Sequence, residues 1–258
     1  MAAKEKSLWL TPFKRVPLIF YDTVESTNLT AKEFARTHST DAVFYAAGQT
    51  GGRGRLGRSF SSEHGVGLYM SMLIHPKKSI RDALKLTALA GVALSRAIER
   101  NTELSPKIKW VNDIQIGGKK VAGILAEGEF LESGELKYAV IGIGLNIYKR
   151  DFGELSDIAA SLGDFTETPP SIDIILRDTV REFYRLYRKH SLLDEVEYYR
   201  EHSSVIGRNI TVYNADKSYP AYAADIDESF ALVINDGEKT RSITSAEVTV
   251  RVVSNGEK

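Results

Sequence analysis

Gln49-Thr50-Gly51-Gly52-Arg53-Gly54-Arg55-Leu56-Gly57-Arg58 is the stretch around which the rest of the chain arranges itself. Glycine lets backbone N–H groups approach an anion closely and turn toward it. Arginine stays charged and grips a carboxylate or phosphate with a planar fork. Three arginines on this frame predict an anion clamp, open when empty and ordered when full. The GxxxxGK[ST] spacing of a P-loop is absent. At this level two other uses of the same residues stay open: a solvated linker, and an RGG-type RNA-binding segment. An RGG segment normally repeats within a disordered region, whereas this one is single and lies inside a fold.

Working outward, the segment 48–67 holds seven glycines and four charged residues other than histidine, too polar to bury, and is predicted to be a mobile loop. Apolar runs at 43–47 and 68–74 flank it as strands. Upstream, 18–21 reads as a strand, and Ser26 or Thr27 caps a helix in which Leu29, Ala31, Phe34 and Ala35 fall near helical spacing. Downstream, Leu84, Leu86, Leu89, Val92, Ala93, Leu94 and Ala97 mark a helix over 83–98. Strands follow at 108–110, 114–116 and 119–127, the last two joined by Gly117-Gly118, a two-residue hairpin signal. Ser133-Gly134 turns the chain into another strand at 138–147. After Pro169-Pro170 come helices at 172–190 and 192–201.

From 206 onward apolar positions alternate (Ile210, Val212, Tyr222, Ile226, Leu232, Val233, Ile243, Val248, Val250), with turns at Asn214-Ala215-Asp216 and Asn235-Asp236-Gly237. That pattern predicts a small β-barrel or sandwich. The expected fold class is α+β, with a larger domain over 1–203, opening on a lead-in segment 1–17, and a small all-β domain over 204–258.

The 258 residues suit one to two domains of about 150 residues each. There is no cysteine, which excludes disulfides, thiolate metal sites and a cysteine nucleophile, and suits a reducing compartment. Lys plus Arg equals Asp plus Glu at 34 each, so nothing steers the whole chain toward nucleic acid or a membrane. No apolar run reaches the ~20 residues that span a bilayer, and the first ten residues lack a signal-peptide core. A cytoplasmic protein is expected. His38, His64, His75, His190 and His202 show no metal-ligand spacing, so metal ligands are left unassigned.

Four further constellations carry polar chemistry. Lys109-Trp110-Val111-Asn112-Asp113 sets a cation, an indole, an amide and a carboxylate at a strand end; a solvated Asn-Asp turn is the plain alternative. Strict alternation along the strand after Gly117-Gly118 places Lys120, Ala122, Ile124 and Ala126 on one face, and Val121, Gly123 and Leu125 on the other. Lys120 is then either an exposed hairpin-tip lysine or a group set against an anion, and mid-strand Gly123 marks close approach of a ligand or another backbone. Gly142-Ile143-Gly144-Leu145-Asn146 again leaves space above a strand. Ser26-Thr27-Asn28 opens a helix, where plain N-capping would account for it.

In order and content together, Ser26-Thr27-Asn28, Gly52 to Arg58, Lys109 to Asp113, Lys120 to Gly123 and Gly142 to Asn146 resemble the biotin–protein ligase family, over about Phe20 to Arg251. The resemblance implies a central mixed β-sheet flanked by helices, related to class II aminoacyl-tRNA synthetases, followed by a small C-terminal SH3-like β-barrel. It implies that biotin, ATP and Mg²⁺ are bound, and that biotin is activated as an adenylate and transferred to a lysine of a biotin carboxyl carrier protein, such as an acetyl-CoA carboxylase subunit. By the same resemblance Ser26, Thr27, Asn28 and Gln49 hold biotin. Gly52, Arg53 and Arg55 belong to the closing loop, and Gly123 lines the biotin pocket. Lys120 lies where the biotin carboxylate meets the α-phosphate, making Lys120, Arg53 and Arg55 the catalytic candidates. Arg55, Arg58, Phe60, Lys109, Asn112, Asp113 and Asn146 face ATP or the adenylate. Phe60 stands where the family usually has Trp, and Val111 where many members have Pro. About 25 residues precede Ser26, too few for the N-terminal DNA-binding segment of many bacterial members, so no DNA partner is expected. The oligomeric state is left open, a homodimer included. The nearest rivals are a lipoate or octanoate transferase and an RNA-binding module.

Overall fold

The computed structural model describes residues 3–11, 14–76, 83–214, 217–244 and 248–252. Eight strands form one mixed sheet: β1 (Lys4–Thr11), β2 (Lys14–Val24), β3 (Ala42–Gln49), β4 (Gly67–Ile74), β5 (Lys107–Lys109), β6 (Asp113–Ile116), β7 (Lys119–Phe130) and β8 (Leu136–Asn146). Their spatial order is β1-β2-β3-β4-β8-β7-β6-β5. Only β2 and β3 run parallel. A parallel pair needs a crossover, and helix α1 (Thr27–Ala35) supplies it. The segment expected as a lead-in contributes an edge strand instead: β1 pairs along β2, with Leu8 opposite Val16, and both side chains are buried. Mixed charge at Lys4, Glu5 and Lys6 suits an edge strand and hid it in the sequence.

Alternation gives the sheet two faces of different character. Val43, Met72 and Ile141 pack toward helices α2 (Ala83–Asn101) and α3 (Ile172–Tyr187) in the main core. Phe44, Leu73 and Val140 point the other way, against Ala31 and Ala35 of α1. Beyond α1, strands β7 and β8 put Gly123, Gly142 and Gly144 on that second face, and this is where the cavity described below forms. Gly117 and Gly118, at φ 56° and 81°, make the expected tight turn between β6 and β7.

α2, α3 and α4 (Leu193–Glu201) are tied by charge. Arg96 on α2 reaches Glu182 at 3.1 Å and Glu195 at 3.4 Å, and Lys189 reaches Glu195 at 2.9 Å. The Glu195 side chain is 1 % exposed, so it is stable there only because two cations face it.

The C-terminal strands β9 (Arg208–Asn214), β10 (Lys217–Ile226), β11 (Leu232–Asn235), β12 (Thr240–Ile243) and β13 (Val248–Val252) form an antiparallel sheet in the order β12-β11-β10-β9-β13. The expected barrel is therefore corrected to an open sheet: β13 pairs with β9 and not with β12. The reason lies in the core. Ile210, Val212, Phe230, Leu232 and Ile234 join one continuous apolar cluster with Trp110, Val196 and Tyr199. The small sheet completes its burial against Trp110 and helix α4 instead of closing on itself. The turn expected at 214–216 falls partly outside the described residues; that at 235–237 is present, with Gly237 at φ 92°.

Breaking a buried ion pair by removing one charge costs about 3–5 kcal/mol. Glu195→Gln is expected to lose about 3 kcal/mol of stability in urea unfolding. A loss under about 1 kcal/mol would mean that the ion network does not hold the helical layer.

Candidate active site

A cavity of about 190 Å³ opens on the glycine-bearing face. Its wall includes Ser26, Thr27, Asn28 and Gln49 at one end, and Arg53, Arg55, Arg58, Lys109, Asn112, Asp113 and Lys120 toward the other, with Phe60 and Gly123 between. Of the residues that the resemblance assigns to biotin or ATP, all but Gly52 and Asn146 are part of this wall.

The first end is uncharged and tightly wired. Ser26 occupies the N-cap position of α1, but its side chain makes no capping bond, so the capping account of this motif fails. The Thr27 backbone N–H donates to Gln49 Oε1 at 2.8 Å, with Thr27 Oγ1 at 3.1 Å from the same oxygen. Gln49 Nε2 donates to Ser62 Oγ at 2.8 Å. Ser71 Oγ, fully buried on β4, lies 2.8 Å from Thr27 Oγ1 and 2.6 Å from Asn28 Oδ1. Asn28 Nδ2 donates to Glu127 Oε2 at 2.7 Å.

Glycines make room for this wiring. A Cβ on Gly142 would sit 2.2 Å from Asn28 Oδ1, and one on Gly144 would sit 2.5 Å from the Phe60 ring. Gly144 pairs directly with Gly123 across β8 and β7. Phe60 therefore lies over a floor of two glycines. Gly52 acts from behind the wall: its O accepts from Phe60 N at 2.9 Å, and a Cβ there would meet Phe60 O at 2.3 Å.

The second end is cationic. Lys120 Nζ forms an ion pair with Asp113 Oδ1 at 2.6 Å and lies 3.2 Å from where a Gly123 Cβ would be. Simple alternation had put Lys120 and Gly123 on opposite faces. The pairing explains the difference. Ile114 faces Ala122 and Gln115 faces Lys120, so Val121 is an extra residue, a β-bulge. One extra residue inverts the alternation and turns Lys120 onto the cavity face. Val121 and Ala122 both go into the core.

The arginine loop is folded against this end. Arg53 bridges to Ser59, and Gly54 N donates to Arg58 O at 2.7 Å. Between them Leu56 and Gly57 take φ 55° and 73°. Arg55 turns inward, where Nη1 donates to Asn112 Oδ1 at 3.4 Å. Burial pulls its guanidinium below the ordinary arginine range, Asp113 opposes that shift, and Arg58 adds to it. Arg53 stays outside on Glu25, at 3.5 Å. Asn112 is fixed to β7 by its Nδ2, which donates to Ile124 O at 3.1 Å.

Asn146 is buried, its Nδ2 donating to Ala160 O at 3.1 Å while Oδ1 accepts from Arg150 at 3.4 Å. Arg150 also holds Ser61 and Glu63, at 2.8 and 3.0 Å, and so anchors the far limb of the arginine loop. Sequence reasoning assigned no role to Ser62, Ser71, Glu127 or Arg150, because each is a single polar residue whose partners lie elsewhere along the chain. Arg251, on β13, also lines the cavity and brings the C-terminal sheet to the site.

Among the described residues no group of acids or histidines could hold a metal ion. Asp113 is the one carboxylate in the wall, and Lys120 already occupies it.

A family model described as the biotin/lipoate A/B protein ligase family matches residues 20–146. The bifunctional ligase/repressor BirA of Bacillus subtilis (strain 168) is 33% identical over 239 residues, covering 90% of this chain and 73% of its own. The chain belongs to the biotin/lipoate A/B protein ligase family. Within that family it is similar to the biotin--[acetyl-CoA-carboxylase] ligase of Mycobacterium tuberculosis, 27% identical over 213 residues, 80% of this chain and 77% of that one. Among solved structures, the biotin protein ligase from Aquifex aeolicus in complex with biotin and ATP matches with a TM-score of 0.77 and 26% identity, covering 92% of this chain and 99% of that one. The ligase relatives therefore cover both sheets, and the arginine loop, bulged β7 and glycine-bearing β8 all fall within the family match.

Because Asn28 leaves no space above Gly142, a methyl group there must displace it. Overpacking of this kind costs about 1–3 kcal/mol. Gly142→Ala is expected to lower the urea midpoint accordingly. An unchanged midpoint would show that Asn28 is not held against β8.

Proposed function

We propose that this ligase activates biotin with ATP as biotinyl-5′-adenylate, releasing pyrophosphate, and transfers the biotinyl group to a specific lysine of a biotin carboxyl carrier protein, releasing AMP. One observation carries the assignment: a single cavity has an uncharged hydrogen-bonding end and a cationic end, with Lys120 at the cationic one. Biotin is a molecule of that form, a neutral cyclic urea joined by an alkyl chain to a carboxylate. A BirA homologue at 33% identity and the biotin- and ATP-bound ligase at 26% support the same chemistry.

In the first step a carboxylate oxygen attacks the α-phosphorus and pyrophosphate leaves. Both reactants are anions, and their repulsion at 3–4 Å weakens only if cations are held in a dry site. Lys120, Arg55 and Arg58 supply such charge, with Lys109 and Arg251 behind them. The Lys120–Asp113 ion pair must loosen as Lys120 turns to the carboxylate and α-phosphate. Ser26, Thr27, Asn28 and Gln49 hold the urea end, Gly123 leaves space for the chain of the acid, and Phe60 offers a face to the adenine. Gly52, Arg53 and Arg55 close the loop over the product, which excludes water from a hydrolysable anhydride. Asn112 holds Arg55, and Asn146 acts on the nucleotide end through Arg150 and the loop limb it anchors. A Mg²⁺ ion brought with ATP would neutralise part of the phosphate charge, and Asp113, once Lys120 has turned away from it, is the carboxylate of the wall that would face it. In the second step the carrier lysine amine attacks the acyl carbon and AMP leaves, so no covalent enzyme intermediate is needed. A cysteine-free chain using ATP fits a cytoplasmic location. No helix among the described residues is long and apolar enough to cross a membrane.

With biotin, ATP and an apo carrier domain, the protein is expected to label the carrier lysine, detected with streptavidin. Labelling that is absent, or supported equally by lipoate or octanoate, would overturn the assignment. Lys120→Ala is expected to slow single-turnover adenylation about 10²–10³-fold; an unchanged rate would remove Lys120 from that step. Arg55→Ala gives up charge-assisted contacts worth about 1.5–3 kcal/mol and is expected to release the adenylate about ten- to a hundredfold faster. Equal retention in a rapid-filtration assay would contradict the closing role of the loop.

A further inference from the structure

Glu127, at the far end of β7, belongs to none of the motifs above, yet it holds two residues of α1 at once. Its Oε2 accepts from Asn28 Nδ2 at 2.7 Å, and its Oε1 forms an ion pair with Lys32. Asn28 and Lys32 are one helical turn apart, so both face β7. We infer that Glu127 is a positioning residue that fixes the direction of a hydrogen-bond chain running into the cavity, and thereby makes the pocket selective for an acid whose head group presents an N–H donor.

A carboxylate can only accept, and Lys32 is paired with the other oxygen of Glu127. The Asn28 amide must therefore turn its NH₂ toward Glu127, which leaves Oδ1 facing Ser71 Oγ at 2.6 Å. Ser71 has one proton, and this acceptor takes it. Thr27 Oγ1 lies 2.8 Å from Ser71 Oγ and 3.1 Å from Gln49 Oε1, and its own proton goes to one of these two. Gln49 Oε1 also accepts from the Thr27 backbone N–H, at 2.8 Å. With its proton directed inward, Thr27 Oγ1 turns lone pairs to the cavity and can only accept from a ligand. The chain thus runs from a ligand N–H through Thr27, Ser71 and Asn28 to Glu127.

A side-chain amide in place of the carboxylate removes this sense of direction. Asn28 can then rotate and turn its NH₂ to Ser71, and Ser71 can donate to Thr27, filling a lone pair that a ligand N–H would otherwise use. A cyclic urea, with two N–H donors, gains from the native direction; an acid with a sulfur or hydrocarbon head gains nothing. A site built to bond a particular N–H discriminates strongly against analogues lacking it. Ser71 is fully buried and Asn28 nearly so, which places the chain where an unpaired polar group is costly.

The inference rests on biotin being the acid that is activated, and the test keeps the two apart. Biotin-dependent adenylation by the unsubstituted protein establishes the acid; its absence would overturn that assignment and the inference with it. Given that activity, Glu127→Gln is expected to raise the KM for biotin tenfold or more while leaving the KM for ATP within twofold. The preference for biotin over octanoate should fall by a similar factor. Ser71→Ala should reproduce the loss, and the double variant Glu127→Gln/Ser71→Ala should lose no more than the larger single loss, because both cut the same chain. Unchanged biotin KM and acid preference in Glu127→Gln would overturn the inference, as would additive losses in the double variant. A parallel rise in the KM values for biotin and ATP would reduce Glu127 to a packing role.

Discussion

Two anions must meet in this site, and the rest of the molecule is arranged around that difficulty. A carboxylate and a triphosphate repel at the distance where they react, and water screens them only while it is present. The structure answers with cations converging from four separate places: the hairpin strand β7, the arginine loop, the β5–β6 turn and the C-terminal strand β13. None could hold the site alone. The β-bulge at Val121 is the smallest part of this arrangement and the most consequential. Without the extra residue, alternation would drive Lys120 into the apolar layer beneath the sheet and leave the cavity without its nearest cation.

The neutral end obeys a different constraint. Its residues are buried, so each donor and acceptor needs a partner before any ligand arrives, and the wiring from Ser62 through Gln49, Thr27, Ser71 and Asn28 to Glu127 supplies them. Glycines 142 and 144 make this possible by leaving Asn28 and Phe60 the space that side chains would fill. The same strand therefore serves both ends: Gly142 seats the polar chain, Gly144 seats the aromatic ring, and Asn146 joins Arg150 to the loop limb.

Features carried by local chemistry could be read from the sequence. The Gly117-Gly118 turn, the helix over α2 and the arginine loop between two strands depend on neighbouring residues, and each stands where it was expected. The mixed sheet flanked by helices also agrees with that expectation. What the sequence hid depends on partners far along the chain. Lys4–Thr11 reads as a charged tail because an edge strand needs charge, and only pairing with β2 reveals it. A bulge leaves no mark in composition, so the face of Lys120 was misjudged. Ser71, Glu127, Arg150 and Arg251 are single residues whose significance comes from elements more than 40 positions away. The open C-terminal sheet was expected as a barrel because alternation says which face is buried, not what buries it; here Trp110 and Tyr199 do.

If this one cavity joins an acid to the α-phosphate of ATP, the purified protein exchanges isotope between pyrophosphate and ATP when that acid is supplied. With biotin, lipoate and octanoate run in parallel, the expected exchange requires biotin and is not supported by the other two acids. Exchange with no acid at all, or none under any condition, would contradict it and return the arginine loop to simple anion or RNA binding.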